Sequence, residues 1–278
     1  MTAYAEAERT KWLAGARIRA YNATALLLVL VGAMLAALPL ALVDPAHLAL
    51  PGLALFVFGF GGGLVLRFRA IRALRINNGA VALMTRGEDA AASSAFRLAA
   101  SGFFGRDVVS MSLHNLGVLA LRSLDLPSAA ALQRAAVAAA AGFRFPWQPS
   151  YAADFARAQL AFVLAATDAS ALDEATSLLR GTKPLAAPLA IAFAVRARAL
   201  IAARREDFGE TAAILDEERA LLRNILPLND AVLCEALHSY ALSRLADPSR
   251  PHSPVLADDL ARAYVRRIFP AADAVLVA

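Results

Sequence analysis

The chain has 278 residues, of which 59% are hydrophobic and only 18% charged, and its mean hydropathy is +0.53. Soluble domains average about 45 to 50% apolar and about 25% charged, so the composition leans towards a membrane protein. The single cysteine, Cys234, excludes an internal disulfide and suits a reducing compartment. The formal +5 is spread over 24 Lys plus Arg and 20 Asp plus Glu from Arg67 onward, which argues against nucleic acid as a partner.

In chain order, the first feature is Ala23 to Val43, a run of 21 uncharged residues with eight Leu and three Val. On the insertion scale those eleven contribute about −3 to −6 kcal/mol, enough to enter a bilayer despite Pro39. As a helix the run is about 31 Å long and matches a hydrocarbon core of about 30 Å. Asp44 to His47 follow, then a second uncharged run from Leu48 to Leu66. The two runs predict a tight transmembrane hairpin. Arg9, Lys11, Arg17 and Arg19 precede it, Arg67, Arg69, Arg72 and Arg75 follow it, and the connecting loop has no Lys or Arg. The positive-inside rule then places both ends in the cytoplasm. A cleaved signal peptide fits less well, because the apolar run is too long and Glu6 and Glu8 lie in the n-region.

The second run holds GFGGG, Gly59 to Gly63. A phosphate cradle needs a strand before the glycines and a helix after them, with Gly-Lys-Ser/Thr or GxGxxG, but neither motif can be read here and the flanking apolar run is the wrong context. Gly59 and Gly63 instead have the small-xxx-small spacing that admits a second helix in the membrane. Arg67, Arg69, Arg72 and Arg75 serve as topology determinants and can also meet anionic lipid headgroups.

From Asn78 the sequence reads as helices separated by Pro and Gly clusters, with an approximate repeat. In NGAVALMTRGEDAAASSAFRLAA, Gly87, Ala92, Phe96 and Ala99 occupy the turn, small, aromatic and small positions of a helix pair. Leu113, Leu116, Gly117, Ala120, Ala129 and Ala136 repeat the pattern. Further pairs are predicted at Tyr151 to Ala166 with Leu172 to Arg180, and at Ala190 to Ala203 with Phe208 to Leu222. Their small positions, 92, 129, 175 and 212, are 37, 46 and 37 apart. The region resembles a degenerate tetratricopeptide-repeat α-solenoid, over about 145 residues and most clearly in its first two units. That resemblance implies stacked helix pairs that hold peptide segments or partner subunits. Asn229 to Leu245 and Val255 to Phe269 are expected to form a polar-edged cap, with the apolar tail AADAVLVA packed back on it.

Chemistry-bearing residues are sparse. Cys234 and His238, in CEALH, share a helical face with Glu235 alongside, but zinc would need a further ligand from elsewhere, and burial would hold the thiol protonated. The acidic pairs Asp173-Glu174, Glu206-Asp207, Glu217-Glu218 and Asp258-Asp259 diverge by about 100° on a helix and read as solvated surface or helix-dipole partners. FRFPWQPSY, Phe143 to Tyr151, packs four aromatics into nine residues. It reads either as a rigid loop capping the core or as a ridge of binding hot spots in Phe143, Arg144, Phe145, Trp147 and Tyr151.

The expected fold is all-α: a cytoplasmic N-terminal segment 1–22, a transmembrane hairpin 23–66, a basic juxtamembrane linker 67–76 and a helical domain 77–278. The expected function is a scaffold or adaptor of the bacterial inner membrane, N-in and C-in, with a protein partner and membrane lipid, and without cofactor, metal or nucleic acid. The alternatives are an accessory subunit docked through Gly59 and Gly63, with the hairpin as an oligomer contact, and thirdly an enzyme built on Cys234 and His238.

Overall fold

The computed structural model describes residues 30, 32, 49–101, 106–141, 151–180, 187–245 and 252–277. These residues are predominantly helical: α1 (Ala49–Thr85), α2 (Asp89–Ala100), α3 (Arg106–Arg122), α4 (Leu126–Ala140), α5 (Tyr151–Thr167), α6 (Leu172–Arg180), α7 (Pro188–Arg204), α8 (Phe208–Glu217), α9 (Arg219–Ile225), α10 (Leu228–Leu245) and α11 (Asp259–Ile268). Two compact units divide the chain, one of residues 1–119 and 135–149, the other of 120–134 and 150–278. The third and fourth helix pairs expected from spacing correspond to α5 with α6 and α7 with α8. The fourth pair ends early, because the segment to Leu222 breaks at Glu218 and continues as the separate α9.

The all-α reading holds for the described residues, with one small exception. Val255–Leu256 and Leu276–Val277 form a two-stranded parallel sheet, with Val255 opposite Leu276. The cap helix therefore starts later than its expected Val255, at Asp259, where the Asp258 carboxylate accepts a hydrogen bond from the Ala261 amide. The apolar tail does pack back: Ala272, Val275 and Leu276 are buried.

Among the described residues no helix is long and apolar enough to cross a membrane. Of the first expected span, 23–43, only Leu30 and Gly32 lie among them. Within 48–66 the backbone is helical from Ala49, but only the Val57, Gly61, Gly62 and Val65 side chains are described. The segment 67–76, expected as a linker, is helix without a break, because α1 runs for 37 residues from the apolar run into the first helix pair. Such a helix is about 55 Å long.

In the first unit α1 packs on α2, and its Ala73, Asn77 and Ala80 are buried and spaced to share one helical face. The Asn77 carbonyl oxygen accepts from the Ser112 hydroxyl at 2.9 Å, which ties α1 to α3. The Ser110 hydroxyl donates to the Ala136 carbonyl oxygen on α4 at 2.9 Å.

In the second unit two helices each cover the pair before them. α7 packs on both α5 and α6, and α10 packs on both α7 and α8. α7 is consequently largely enclosed, with twelve of its seventeen residues buried, so a helix apolar over most of its circumference is what its position requires. Alanine dominates it because a methyl side chain lets neighbouring backbones approach closely. The small positions Ala92, Ala129, Ala175 and Ala212 are each fully buried, within their respective units.

Three turns between paired helices share one backbone design. Gly87, Leu124 and Glu206 have φ of 79°, 58° and 61°. The amides of the next residues, Glu88, Asp125 and Asp207, reach back to the carbonyls of Leu83, Ala120 and Ala202 at 3.0, 2.9 and 3.0 Å. This is the Schellman closure of a helix C-terminus. Asp125 and Asp207 then cap the following helix by accepting from the Ser128 and Glu210 amides. The pair α5 and α6 departs from the pattern, with a 3-10 turn at Ala169–Ala171 capped by Asp168.

A left-handed conformation costs an L-residue about 1 kcal/mol and glycine almost nothing. Glu206 is exposed, so Glu206→Gly is expected to stabilise the protein by about 0.5 to 1 kcal/mol, about 2 to 4 °C in Tm. Gly87→Ala should shift Tm by a similar amount downward. Thermal unfolding followed by circular dichroism checks both signs.

Candidate functional site

The sequence-predicted site residues fall into three groups. Phe143, Arg144, Phe145 and Trp147 lie outside the described residues, and Tyr151 is the first residue of α5. Gly59 and Gly63 lie on the helical backbone of α1, as does Arg67, and their surroundings are not described. Arg69, Arg72 and Arg75 are exposed on α1. A neighbouring glycine shows a contact that the sequence did not single out. A Cβ placed on Gly62 would stand 3.2 Å from both Leu30 methyl carbons, and Leu30 is buried. The residue from the first apolar run sits in the space that the missing side chain leaves.

Opposite the packed face of α1, another pattern emerges. Phe68, Ile71, Arg72 and Arg75 are spaced i, i+3, i+4, i+7 and cover about 100° of arc centred away from Ala73, Asn77 and Ala80. All four are exposed, Phe68 at 68%.

The second unit holds a buried polar cluster that spacing did not reveal. Arg196, on the largely enclosed helix α7, has no exposed surface. Its guanidinium forms an ion pair with Asp230 on α10 and donates to the Gln159 carbonyl oxygen on α5 at 2.6 Å. The Tyr264 hydroxyl on α11 donates to the other Asp230 oxygen at 2.6 Å. The Nε of Arg196 makes no hydrogen bond, and the Phe162 and Phe193 rings lie 3.8 and 4.9 Å from the guanidinium carbon. Aromatic faces carry negative charge density and partly replace lost water for a cation. Four helices therefore converge on one charge. Burial foremost, with the Asp230 carboxylate beside it, pushes the Tyr264 phenol well above its ordinary pKa, so it stays a hydrogen-bond donor.

Cys234 and His238 do share a face of α10, but they do not form a nucleophile and its base. Cys234 is buried, and desolvation, which the positive charge of Arg196 only partly offsets, pushes its thiol up to about 12. A thiolate is the reactive form, so this sulfur is inert at neutral pH. His238 Nε2 lies 2.8 Å from the Asp216 carboxylate on α8. Glu235 accepts from Arg223 at 2.5 Å and from Arg219 at 3.0 Å. Burial alone would raise the Glu235 carboxyl, but those hydrogen bonds outweigh it and hold it below the usual carboxylate range. Among the described residues no group of three metal-ligating side chains converges.

The adjacent acidic pairs are helix furniture. Asp173 pairs with Arg205 at 2.7 Å, Glu174 with Arg134 at 3.3 Å, and Asp207 and Asp258 are N-caps. Arg204 does a related task at helix C-termini, donating to the carbonyls of Ala166 on α5 and Ile268 on α11 at 3.1 and 2.7 Å.

Removing one partner of a buried ion pair strands the other charge and costs about 3 to 5 kcal/mol, whereas replacing the whole set with apolar groups is often neutral. Asp230→Leu or Arg196→Met alone should therefore lower stability by about that amount, and Arg196→Met with Asp230→Leu and Tyr264→Phe should recover most of it in denaturant titrations.

A second prediction concerns alkali. The folded thiol of Cys234 titrates near 12 against an ordinary 9.0, so its neutral form is favoured in the folded state and stability is lost as pH rises through that window. Cys234→Ala should flatten the fall of unfolding free energy between those two pH values by about 1.4 kcal/mol per pH unit.

No protein-family model matches the chain, and neither a curated protein nor a solved structure matches it.

Proposed function

We propose that the chain is a membrane-anchored scaffold, with a helical hairpin over residues 23–66 in the bacterial inner membrane and a tetratricopeptide-like array of helix pairs presented to the cytoplasm. The observation that carries the reading is the packing order of the second unit, in which α7 covers α5 and α6 and α10 covers α7 and α8. An array built this way offers a surface of successive helices, which suits protein recognition.

The anchor rests on the two uncharged runs and on the arginines that flank them. It gains from the seating of Leu30 against Gly62, a contact between the two runs of the kind that small residues allow in membranes. That contact uses a glycine of the second run within the chain itself. It supports the pairing of the two runs as a hairpin, while the Gly59 and Gly63 face lies about 80° away around the helix.

The aromatic segment remains the proposed partner surface, with Phe143, Arg144, Phe145, Trp147 and Tyr151 as its anchors. Aromatic and arginine side chains dominate binding hot spots, and losing one costs about 2 kcal/mol or more. The test is quantitative affinity purification from mild detergent, comparing the full chain, a chain with residues 23–66 replaced by an unrelated hairpin, and Phe145→Ala with Trp147→Ala. The scaffold reading expects the hairpin swap to keep the partner and the double substitution to weaken its capture by at least about 30-fold. Loss of the partner with the hairpin would assign function to the membrane part instead.

A further inference from the structure

We infer that the exposed stripe of α1, Phe68, Ile71, Arg72 and Arg75 with Arg69 beside it, binds anionic lipid headgroups and holds the first helix pair against the bilayer surface. The inference rests on the reading of the preceding run as a membrane span.

The stripe is left over after the fold has used the rest of the helix. Ala73, Asn77 and Ala80 form the buried face, on which Asn77 meets Ser112 of α3, and the stripe looks the opposite way. No acidic residue occurs between Asp44 and Glu88, so the arginines have no counter-charge on their own segment. None of Arg69, Arg72 and Arg75 is paired among the described residues, whereas Arg134, Arg205, Arg219, Arg223 and Arg266 all form ion pairs.

Interleaved with these cations are large apolar side chains that water should not solvate for nothing. Phe68 is 68% exposed, and Ile71 and Leu74 are also open. Upstream on the same helix Val57 and Val65 are exposed too, with no charge between them. An acidic peptide would satisfy the arginines and leave this apolar continuation unexplained. The boundary of an anionic bilayer satisfies both, with acyl chains around Val57 and Val65 and phosphates at the level of the arginines. From Phe68 to Arg72 the helix rises about 6 Å, the depth of the headgroup layer on one side of a bilayer, and Arg75 lies about one turn further out. Because α1 continues without a break into the α1–α2 pair, lipid held by the stripe fixes how that pair leaves the membrane.

The test reconstitutes the full chain in phosphatidylcholine vesicles carrying a trace of spin-labelled phosphatidylglycerol or spin-labelled phosphatidylcholine, and reads the motionally restricted fraction of each by electron spin resonance. The chain carrying Arg69→Gln, Arg72→Gln and Arg75→Gln is compared, with circular dichroism to show that its helices are intact. The expected result is a preference for phosphatidylglycerol of about fivefold for each arginine engaged, lost in the triple variant and screened by about 1 M salt. An inserted wild-type chain without that preference, or a triple variant that keeps it, overturns the inference and leaves the anchor reading standing. Release of the wild-type chain by alkaline carbonate overturns both.

Discussion

A guanidinium that cannot reach water must find every compensation inside the protein, and Arg196 sits in that position at the centre of the second unit. Its ion pair with Asp230, its hydrogen bond to Gln159 and its place between Phe162 and Phe193 require α5, α7, α10 and α11 to arrive in one register. Apolar stacking between alanine-rich helices is tolerant of small slips, because methyl groups present similar surfaces at successive turns. A buried charge with directional partners is not, since sliding one helix by a turn would strand it. The polar cluster thus supplies the specificity that the alanine-rich interfaces lack, and Tyr264 extends it to the closing helix.

The same logic connects fold to task. A helix pair has an apolar face that it cannot bury alone, and in the second unit a later helix covers it, as α7 covers α5 with α6 and α10 covers α7 with α8. Titratable groups inside that unit are locked as structure: the Cys234 thiol is held protonated, and the Tyr264 phenol serves as a donor. At the other end of the chain, the run of α1 from its uncharged half into the α1–α2 pair joins the proposed anchor to the helical domain through one rigid element.

Much of this was legible in the sequence where the signal is periodic. The helix pairs α5 with α6 and α7 with α8 could be read from apolar spacing, and Ala92, Ala129, Ala175 and Ala212 from their size. Two of the turns were hidden because Leu124 and Glu206 occupy the left-handed position that glycine advertises at Gly87. The backbone hydrogen bonds to Ala120 and Ala202 stabilise that conformation regardless of the residue that adopts it. The Arg196 cluster was hidden for a different reason: Gln159, Asp230 and Tyr264 are remote in sequence, and nothing local marks their meeting. The one available sign was Arg196 within LAIAFAVRARALIAAR, whose neighbours one turn away, Ala192, Phe193, Ala199 and Leu200, are all apolar. The break at Glu218, which separates α8 from α9, had no Pro or Gly to announce it.

The central claim, that one caged arginine sets the register of the second unit, can be tested by nitrogen-15 NMR of the full chain in mild detergent with arginine labelled. A guanidinium held by Asp230 and Gln159 and covered by two rings should give one set of side-chain resonances with slow rotation about the Cζ–Nε bond, separated Nη signals and protection from hydrogen exchange, all abolished by Arg196→Met. If every arginine side chain rotates fast and exchanges freely, Arg196 is not caged, and the register of the helices must be set by apolar packing alone.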